Sequence, residues 1–454
     1  MEGHALRRTC WSVPTLLLMG CAAGRESYSA PQTDVDRSGV VDQRARAEDD
    51  HALEGPVLER RAYVRAVLDR NPSVESARQG WRGAIARIRE SGSFEDPAVD
   101  LGIAPLSIGS SSARLGYTAA ISQRLPWPGK RALEESVAKA EAQAMKSDFE
   151  TTKRDLALTA AVLYDQYFVG QRSLEIDAQH IALVQQMKAG ALAQFASGRA
   201  SAQDPLQAEA ELTHIERDVV ILTSEHEVII AQMNELLHRD PDQPLPPPAN
   251  DLALPAESGV RDARRLEDEA AARRPDIESV RLHAQAEEAR AERADRESYP
   301  DVTVSTSYNS MWDIPEHRWM VGLGFNLPIE LGRRAGAADE ARAARARFEN
   351  DAASLTDKAR TAVAVAVKRL EEVHHVLEIF DKRLLPVARD QVDAARAGFT
   401  TSRNDFVAVI AAERNLRGVE LDYQIARASC DQRRAELDRA LGRMPGLGEE
   451  EVTR

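Results

Sequence analysis

The stretch Asn-Pro-Ser-Val-Glu-Ser-Ala-Arg at residues 71–78 returns as Arg-Pro-Asp-Ile-Glu-Ser-Val-Arg at residues 274–281, which is 203 residues later. Gly-Lys-Arg at 129–131 returns at the same separation as Gly-Arg-Arg at 332–334. Phe195 and Phe399 continue the series with one extra residue. This period is far too long for a solenoid. It therefore indicates two copies of one structural half.

Each half shows the same order of patterns: a short helix, two strands, a long helix, a turn and a second long helix. The first repeat covers residues 58–240, with strands at about 97–125 and long helices at about 131–240. The second covers 263–442, with strands at about 301–327 and long helices at about 333–442. A Pro-rich linker (241–262) joins them, and a tail (443–454) follows. The prediction is a mainly α chain with a small β part.

Strict alternation marks the strands of the second half. The opposite face of these strands carries small Ser, Thr, Gly and Asn side chains, which suit a water-filled lumen. Three aromatic residues, Tyr308, Trp312 and Trp319, fit the belt of aromatic side chains that a membrane barrel carries where lipid meets water. The alternative is a soluble hairpin with one face on a core. The face that we expect to meet lipid consists of Val302, Val304, Tyr308, Trp312, Trp319, Val321, Leu323 and Phe325.

Four strands are too few to close a barrel around water. Open sheet edges cannot lie in lipid, because their backbone groups would stay unpaired. A membrane-spanning sheet therefore requires that the strands pair with those of other copies of the chain.

The long helices carry a near-heptad apolar seam, which is typical of coiled-coil packing. Charged residues outside the seam are interpreted as solvated helix faces for the most part. The seam residues are Leu156, Ala160, Leu163, Tyr167, Gly170 and Leu174 in the first half, and Val363, Val367, Leu370, Val373, Leu377, Phe380, Leu384 and Val387 in the second.

Each pair of long helices meets at a hairpin. In the first, Gly198 can end a helix. Ser201 can cap the next one, with Asp204 in its first turn, where negative charge is favourable. In the second hairpin we expect Asn404 to be the cap.

The N-terminus resembles a bacterial secretory signal. Two arginines precede an apolar run, and the run ends in Leu-Met-Gly-Cys. We expect residues 1–20 to be a signal peptide, Cys21 to be lipid-modified and residues 21–57 to form a flexible tether. The alternative is a plain signal peptide with Cys21 incidental. A single lipid chain anchors only marginally.

The composition excludes several classes of protein. A net charge of −14 argues against nucleic-acid binding. No Gly-rich phosphate loop, nucleophile elbow or His-Glu-x-x-His motif is present, so no catalytic residues and no cofactor are expected. No metal site is expected either: His374 and His375 are adjacent on a helix and point in different directions, and Cys430 is interpreted as a packing residue.

Together these features resemble the TolC family of bacterial outer-membrane efflux channels. The resemblance covers about 58–442 and depends on the duplicated unit, the two repeat starts, the hairpins and the strand exits at 121–131 and 325–334. It implies a homotrimer with a twelve-stranded outer-membrane β-barrel that continues into a twelve-helix coiled-coil α-barrel. It also implies a periplasmic adaptor and an inner-membrane pump as partners. The hairpin tips that the resemblance assigns to adaptor docking are Gly198, Arg199, Ser201, Ser402, Arg403 and Asn404.

The exit sequence Gln-Arg-Leu-Pro-Trp-Pro-Gly-Lys-Arg (123–131) is most similar to the CzcC-like heavy-metal efflux branch. The expected function is therefore passive export of heavy-metal cations or other small toxic compounds. Multidrug efflux and type I secretion are alternatives, and a periplasmic coiled-coil adaptor lipoprotein is a remote one. Family members often carry acidic residues past the second hairpin, but here those positions are Ala408 and Ala411. An acidic constriction would instead use Asp204 and Asp405, unless both only serve helix starts.

Overall fold

The computed structural model describes residues 31–36, 53, 55–109, 111, 114–250, 252, 263–401 and 405–447. The predicted signal peptide, Cys21 and the tip residues Ser402, Arg403 and Asn404 lie outside these residues. The chain divides into two compact units. Unit 1 comprises residues 1–39, 78–146 and 279–352, and unit 2 comprises 40–77, 147–278 and 353–454. None of the helices in the described residues is both long and apolar enough to cross a membrane.

The described elements repeat in order along the chain. Two short helices, two strands and long helices are followed by the same series. The helices are α1 (Arg60–Arg70), α2 (Pro72–Ser91), α3 (Lys130–Ala196), α4 (Gln203–Leu236), α5 (Ala263–Arg273), α6 (Pro275–Arg296), α7 (Leu331–Ile379), α8 (Leu385–Thr400) and α9 (Phe406–Ala440). The strands are β1 (Ala98–Ile103), β2 (Tyr117–Leu125), β3 (Val302–Asn309) and β4 (Trp319–Phe325). This confirms the predicted mainly α fold and its duplication.

The repeat starts lie where a helix begins. Pro72 and Pro275 are the first residues of α2 and α6, where a missing N–H costs nothing. The Asn71 side chain accepts a hydrogen bond from the Ser73 backbone N–H at 3.0 Å. An additional short helix, α1 or α5, precedes each start.

Unit 1 contains a four-stranded antiparallel sheet in the order β1-β2-β3-β4. Strands β2 and β3 belong to different repeats and pair over eight residues, from Thr118 opposite Asn309 to Leu125 opposite Val302. The outer strands β1 and β4 each have one edge without a partner in the described chain.

The tether prediction is wrong for residues 31–36, which are helical. Val35 is fully buried in unit 1. Asp36 pairs with Arg82 at 3.0 Å and Asp34 with Lys146 at 3.3 Å. One buried apolar side chain between two paired acids fixes this segment despite its polar sequence.

Unit 2 has an aromatic core in which Tyr63, Tyr164 and Phe168 are fully buried. The Tyr164 hydroxyl donates to the carbonyl of Leu58 at 2.7 Å. The Leu58 N–H in turn donates to the carbonyl of Pro247 at 2.8 Å. The described part of the Pro-rich linker, residues 241–250, is thus held against the core at Pro247.

The predicted seam continues to Phe380, which packs against a core cluster, and fails beyond it. Residues Phe380–Leu384 form a π-helical turn, and Leu384 and Val387 are 42% and 63% exposed. A π turn contains one extra residue, so the buried face moves by one position. Pro386 explains the turn, because a proline in a regular α-helix lacks a donor and clashes with the carbonyl four residues before it. The buried residues beyond the turn are Leu385, Ala388, Val392 and Ala395.

Deletion of Arg383 together with Pro386→Ala should convert the π turn into regular helix and keep both buried faces in place. Deletion of Arg369 in the same Pro386→Ala background should rotate one part of the seam by about 100°. We expect the first variant to retain a thermal midpoint close to that of Pro386→Ala and the second to lose cooperative unfolding. Circular dichroism in detergent micelles measures both. Equal destabilisation would contradict this role of the π turn.

Candidate functional site

One face of the unit 1 sheet is apolar across all four strands. Residues that are paired across antiparallel strands point to the same side, so the register defines this face. Its β4 residue Val321 is 80% exposed, and its β1 residue Leu101 is 79% exposed. We call this surface the apolar face; it contains Val99, Leu101, Ile103, Tyr117, Ala119, Ile121, Gln123, Leu125, Val302, Val304, Thr306, Tyr308, Trp319, Val321, Leu323 and Phe325.

This face packs on no core within the described chain, which argues against the soluble-hairpin alternative. The structure brings together seven of the eight residues predicted to meet lipid. The eighth, Trp312, lies beyond the strand, because β3 ends at Asn309. Its predicted position on this face is therefore wrong. The Asn309 side chain accepts the Met311 backbone N–H at 3.0 Å and so begins a turn.

Aromatic rings lie at both ends of the strands. At one end the Tyr308 ring lies 5.7 Å from that of Tyr117 and 5.3 Å from that of Trp319. At the other end, next to the helices, Trp127 stacks on Tyr299 with 5.4 Å between ring centroids. Nine residues separate Tyr299 from Tyr308, which is about 30 Å of extended chain. This spacing matches the aromatic girdles of a membrane barrel.

The opposite face of the sheet consists mostly of small or polar side chains, with Met320 on β4 as an exception. It includes Thr118, Ser122, Thr303, Ser305, Ser307 and Asn309, together with glycines 102, 322 and 324. A Cβ on Gly322 would lie 2.7 Å from the hydroxyl of Ser305, its partner across the strands. A Cβ on Gly102 would lie 2.5 Å from the hydroxyl of its partner Thr118. Both hairpins therefore combine a glycine with a hydroxyl residue on this face.

A buried charge cluster joins the strands to α3. The Asp301 carboxylate precedes β3 and accepts hydrogen bonds from Arg124 at 2.7 Å, Lys130 at 2.8 Å and the Trp127 backbone N–H at 3.0 Å. Asp301 and Lys130 are both 5% exposed. Burial opposes ionisation of Asp301, but the bonds from Lys130, the Trp127 backbone and Arg124 outweigh it and lower its pKa to about 2. The sequence prediction missed this cluster.

The first hairpin tip, in unit 2, ends its first helix at Gly198 as predicted, but the prediction that Ser201 caps the second helix is wrong. Gly198 adopts φ +70°, and the Arg199 N–H donates to the carbonyl of Gln194 at 2.9 Å, as in a Schellman turn. The Ser201 hydroxyl accepts the Gln203 N–H at 3.1 Å, although Ala202 is the capping residue. Gly198, Arg199 and Ser201 are exposed, and Asp204 lies half-buried in the first turn of α4.

The prediction that Asn404 caps the second hairpin is wrong. Asp405 has extended backbone angles and accepts the Ala408 N–H at 3.0 Å, so it is the N-cap of α9. A carboxylate at this position satisfies a free N–H and interacts favourably with the helix dipole. Asp405 is thus the N-cap of α9, and Asp204 lies in the first turn of α4.

Several charges interpreted as solvated are instead buried ion pairs between the long helices. Arg417 of α9 bonds Asp177 of α3 at 2.7 Å and Asp218 of α4 at 3.0 Å. Asp177 lies seven residues after the seam residue Gly170, and an acid at a seam position is the signal that could have found this pair. Two further acids are nearly inaccessible: Glu211 pairs with Arg414, and Glu413 pairs with Arg396.

Among the described residues no group of three His, Cys, Asp or Glu side chains could hold a metal ion. His374 and His375 are exposed. Cys430 packs in a core cluster as predicted, and burial raises the pKa of its thiol to about 11.

Comparison with known proteins agrees with this geometry. Residues 266–443 match the family model described as outer membrane efflux protein. These residues include β3, β4 and most of the helices of the second repeat. No curated protein matches the sequence.

Several solved structures share the fold. CusC, studied for folding and transmembrane channel formation, has a TM-score of 0.72 and 16% identity over 85% of this chain and 92% of its own. The outer-membrane channel OprN has a TM-score of 0.71 and 19% identity over 87% and 92%. The outer membrane protein VceC of Vibrio cholerae has a TM-score of 0.70 and 17% identity over 88% and 97%. The chain therefore has the fold of an outer-membrane channel subunit.

Replacing Asp301 by Asn should leave Lys130 buried beside a neutral partner and destabilise unit 1 by about 3–5 kcal/mol, as expected when one member of a buried pair is removed. Because the folded-state pKa lies below the unfolded value near 3.9, ionised Asp301 stabilises the fold above about pH 4, and this contribution fades as the pH falls toward 2. The midpoint of thermal unfolding, determined in detergent micelles from pH 2 to 7, measures this contribution of Asp301 to stability.

The matched control is Asp313→Asn, because Asp313 is exposed in the β3–β4 connection. Asp313→Asn should follow the wild-type pH profile, whereas Asp301→Asn should be less stable at neutral pH and approach wild type in acid. A constant difference across this range would show that the carboxylate charge is not responsible.

Proposed function

We propose that this chain is one subunit of a homotrimeric channel in the bacterial outer membrane. The observation that carries the proposal is the exposed apolar face, which spans four strands and has small polar side chains behind it. Exposing this much apolar surface to water is unfavourable, because each Å² costs about 25 cal/mol of free energy. In lipid it is the surface that a barrel presents.

The free edges of β1 and β4 support the oligomer. Unpaired strand edges are excluded from lipid, so β4 of one copy pairs with β1 of the next. Three copies of a four-stranded sheet give twelve strands, and closure leaves no edge. The polar face then lines an aqueous lumen, and the long helices of three copies continue it on the periplasmic side.

The channel is a passive export duct and not an enzyme. It takes its driving force from an inner-membrane pump and contacts a periplasmic adaptor at the hairpin tips. Gly198, Arg199 and Ser201 are exposed, so a partner protein could reach them. With Ser402, Arg403 and Asn404 they form the proposed docking tips. Lipid on Cys21 adds a second attachment to the outer membrane.

The proposed cargo is heavy-metal cations or other small toxic compounds. The Gln-Arg-Leu-Pro-Trp-Pro-Gly-Lys-Arg exit supports the CzcC-like assignment. Asp204 and Asp405 lie at helix starts beside the tips, where three copies of each could attract cations. Multidrug efflux or protein secretion through the same duct is the alternative.

Placing a charge on the apolar face tests the channel itself. Val321→Arg should prevent trimer assembly in the outer membrane, because a charge on the lipid face costs about 2–4 kcal/mol near the midplane. Met320→Arg, on the neighbouring residue of the opposite face, should still assemble. Trimer yield is measured by light scattering after detergent extraction. Normal assembly of Val321→Arg would overturn the assignment of this face to lipid.

A deletion strain distinguishes the cargo classes. If the cargo is metal, the strain should accumulate divalent or monovalent metal ions, measured by elemental analysis, while sensitivity to dyes and antibiotics stays unchanged. Drug sensitivity with normal metal content would move the channel to multidrug efflux.

The same strain tests the acidic constriction when it is complemented with Asp204→Asn plus Asp405→Asn. Asparagine also caps helices well, so the fold is retained while the charges are lost. Metal accumulation under this variant supports a constriction. Full complementation shows that the two acids serve only their helices.

A further inference from the structure

The two strand exits of unit 1 are equivalent in position but differ in their charge contacts. After β2, Arg131 donates to the carbonyl of Gly92, one residue past α2, at 2.8 Å. After β4, Arg334 donates to the carbonyl of Glu297, one residue past α6, at 2.9 Å. The two exits therefore correspond in their hydrogen bonds as well as in their sequence. Lys130 and Arg333, the preceding residues, are thus counterparts.

Lys130 and Arg333 nevertheless have different environments. The Lys130 ammonium is buried against the Asp301 carboxylate at 2.8 Å and the Tyr299 carbonyl at 2.9 Å. Arg333 is exposed and has no acidic partner among the residues that the structure describes. The reason lies in the sheet order. β2 has β3 beside it, and the Asp301 cluster forms between them, but the corresponding edge of β4 is open.

The segment that precedes β1 carries an acid two residues before the counterpart of Asp301. Tyr299-Pro300-Asp301 precedes β3, and Asp96-Pro97-Ala98 is the same stretch 203 residues earlier. Ala98 replaces the carboxylate of Asp301, so no acid stands at that position. Asp96 takes the position of Tyr299, whose carbonyl lies next to the Lys130 ammonium. Asp96 is exposed and has no partner among the described residues.

Resting on the proposed trimer, we infer that Arg333 of each copy forms an ion pair with Asp96 of the partner subunit where β4 meets the neighbouring β1. This pair repeats the Lys130–Asp301 contact across the subunit boundary. A guanidinium reaches farther than an ammonium and can bind a carboxylate with two donors, which suits an acid displaced by two residues. The occupant of the β4 edge is thus a second copy of this chain.

Site-directed cross-linking tests the contact. A short bis-maleimide reagent is applied to membranes that contain the full chain with Arg333→Cys and Asp96→Cys. A bis-maleimide is chosen because an Arg–Asp pair separates its Cα atoms by more than the roughly 4.4–6.8 Å that a disulfide spans. Cys430 is buried and stays unreactive. We expect covalent dimers and trimers on denaturing gels. The single variants, and Arg333→Cys with Asp313→Cys in the loop at the other strand end, should give only the wild-type background.

A charge exchange gives an independent measurement. Arg333→Glu and Asp96→Arg should each lower the temperature at which the trimer dissociates, and the two together should restore it. An equal or larger loss in the double variant would overturn the pair and indicate another partner for Arg333, such as a lipid phosphate. Arg369→Glu, an exposed reversal farther along α7, controls for net charge.

The outcomes separate this inference from the proposed function. Trimers by light scattering without cross-links in the paired-cysteine variant would overturn the Arg333–Asp96 contact and leave the channel intact. A chain that stays monomeric in detergent and in membranes would overturn both.

Discussion

The carboxylate of Asp301 is the constraint on which unit 1 depends. It binds the last residues of β2, the turn that follows and the first turn of α3, and it immediately precedes β3. The two sequence repeats meet in the sheet through β2 and β3, so this buried cluster fixes the register between them. The cluster supports the eight-residue β2–β3 ladder that joins the two hairpins, and a two-stranded hairpin alone is marginally stable in water. The continuous apolar face requires that the two hairpins share one register.

Much of the fold could be predicted because its signals are periodic. Alternation identified β3 and β4, and a weaker alternation at the equivalent place in the first repeat identified β1 and β2. Side chains on both faces of these strands are surface groups, either apolar or small and polar, so the pattern is not blurred by a core. Gly198 was predictable for a local reason, since a left-handed residue at a helix end is most often glycine.

The errors share a different cause, which is competition between two plausible local patterns. In the sequence, Leu384 and Val387 continue the heptad pattern. Pro386 makes a regular helix unfavourable there, and the π turn moves the buried seam to Leu385 and Ala388. Asn404 and Asp405 are both good caps, and only backbone geometry selects the second. Asp177 and Arg417 are distant in sequence, so their pairing appears only when the helices are packed. The buried ion pairs between the long helices were missed for this last reason.

The glycine–hydroxyl pairs of the polar face limit how its chemistry can change in evolution. Gly102 opposite Thr118 and Gly322 opposite Ser305 leave no space for a Cβ unless the hydroxyl turns away. A single substitution of either glycine therefore alters two positions at once, the new side chain and the displaced hydroxyl. Ser307 has no partner glycine, since it lies opposite Met320, and a Cβ on Gly324 would lie at an ordinary 3.6 Å from the Cβ of its partner Thr303. Adaptation of this surface to new solutes should accordingly proceed through isolated hydroxyl positions first and through the coupled pairs only by simultaneous replacement.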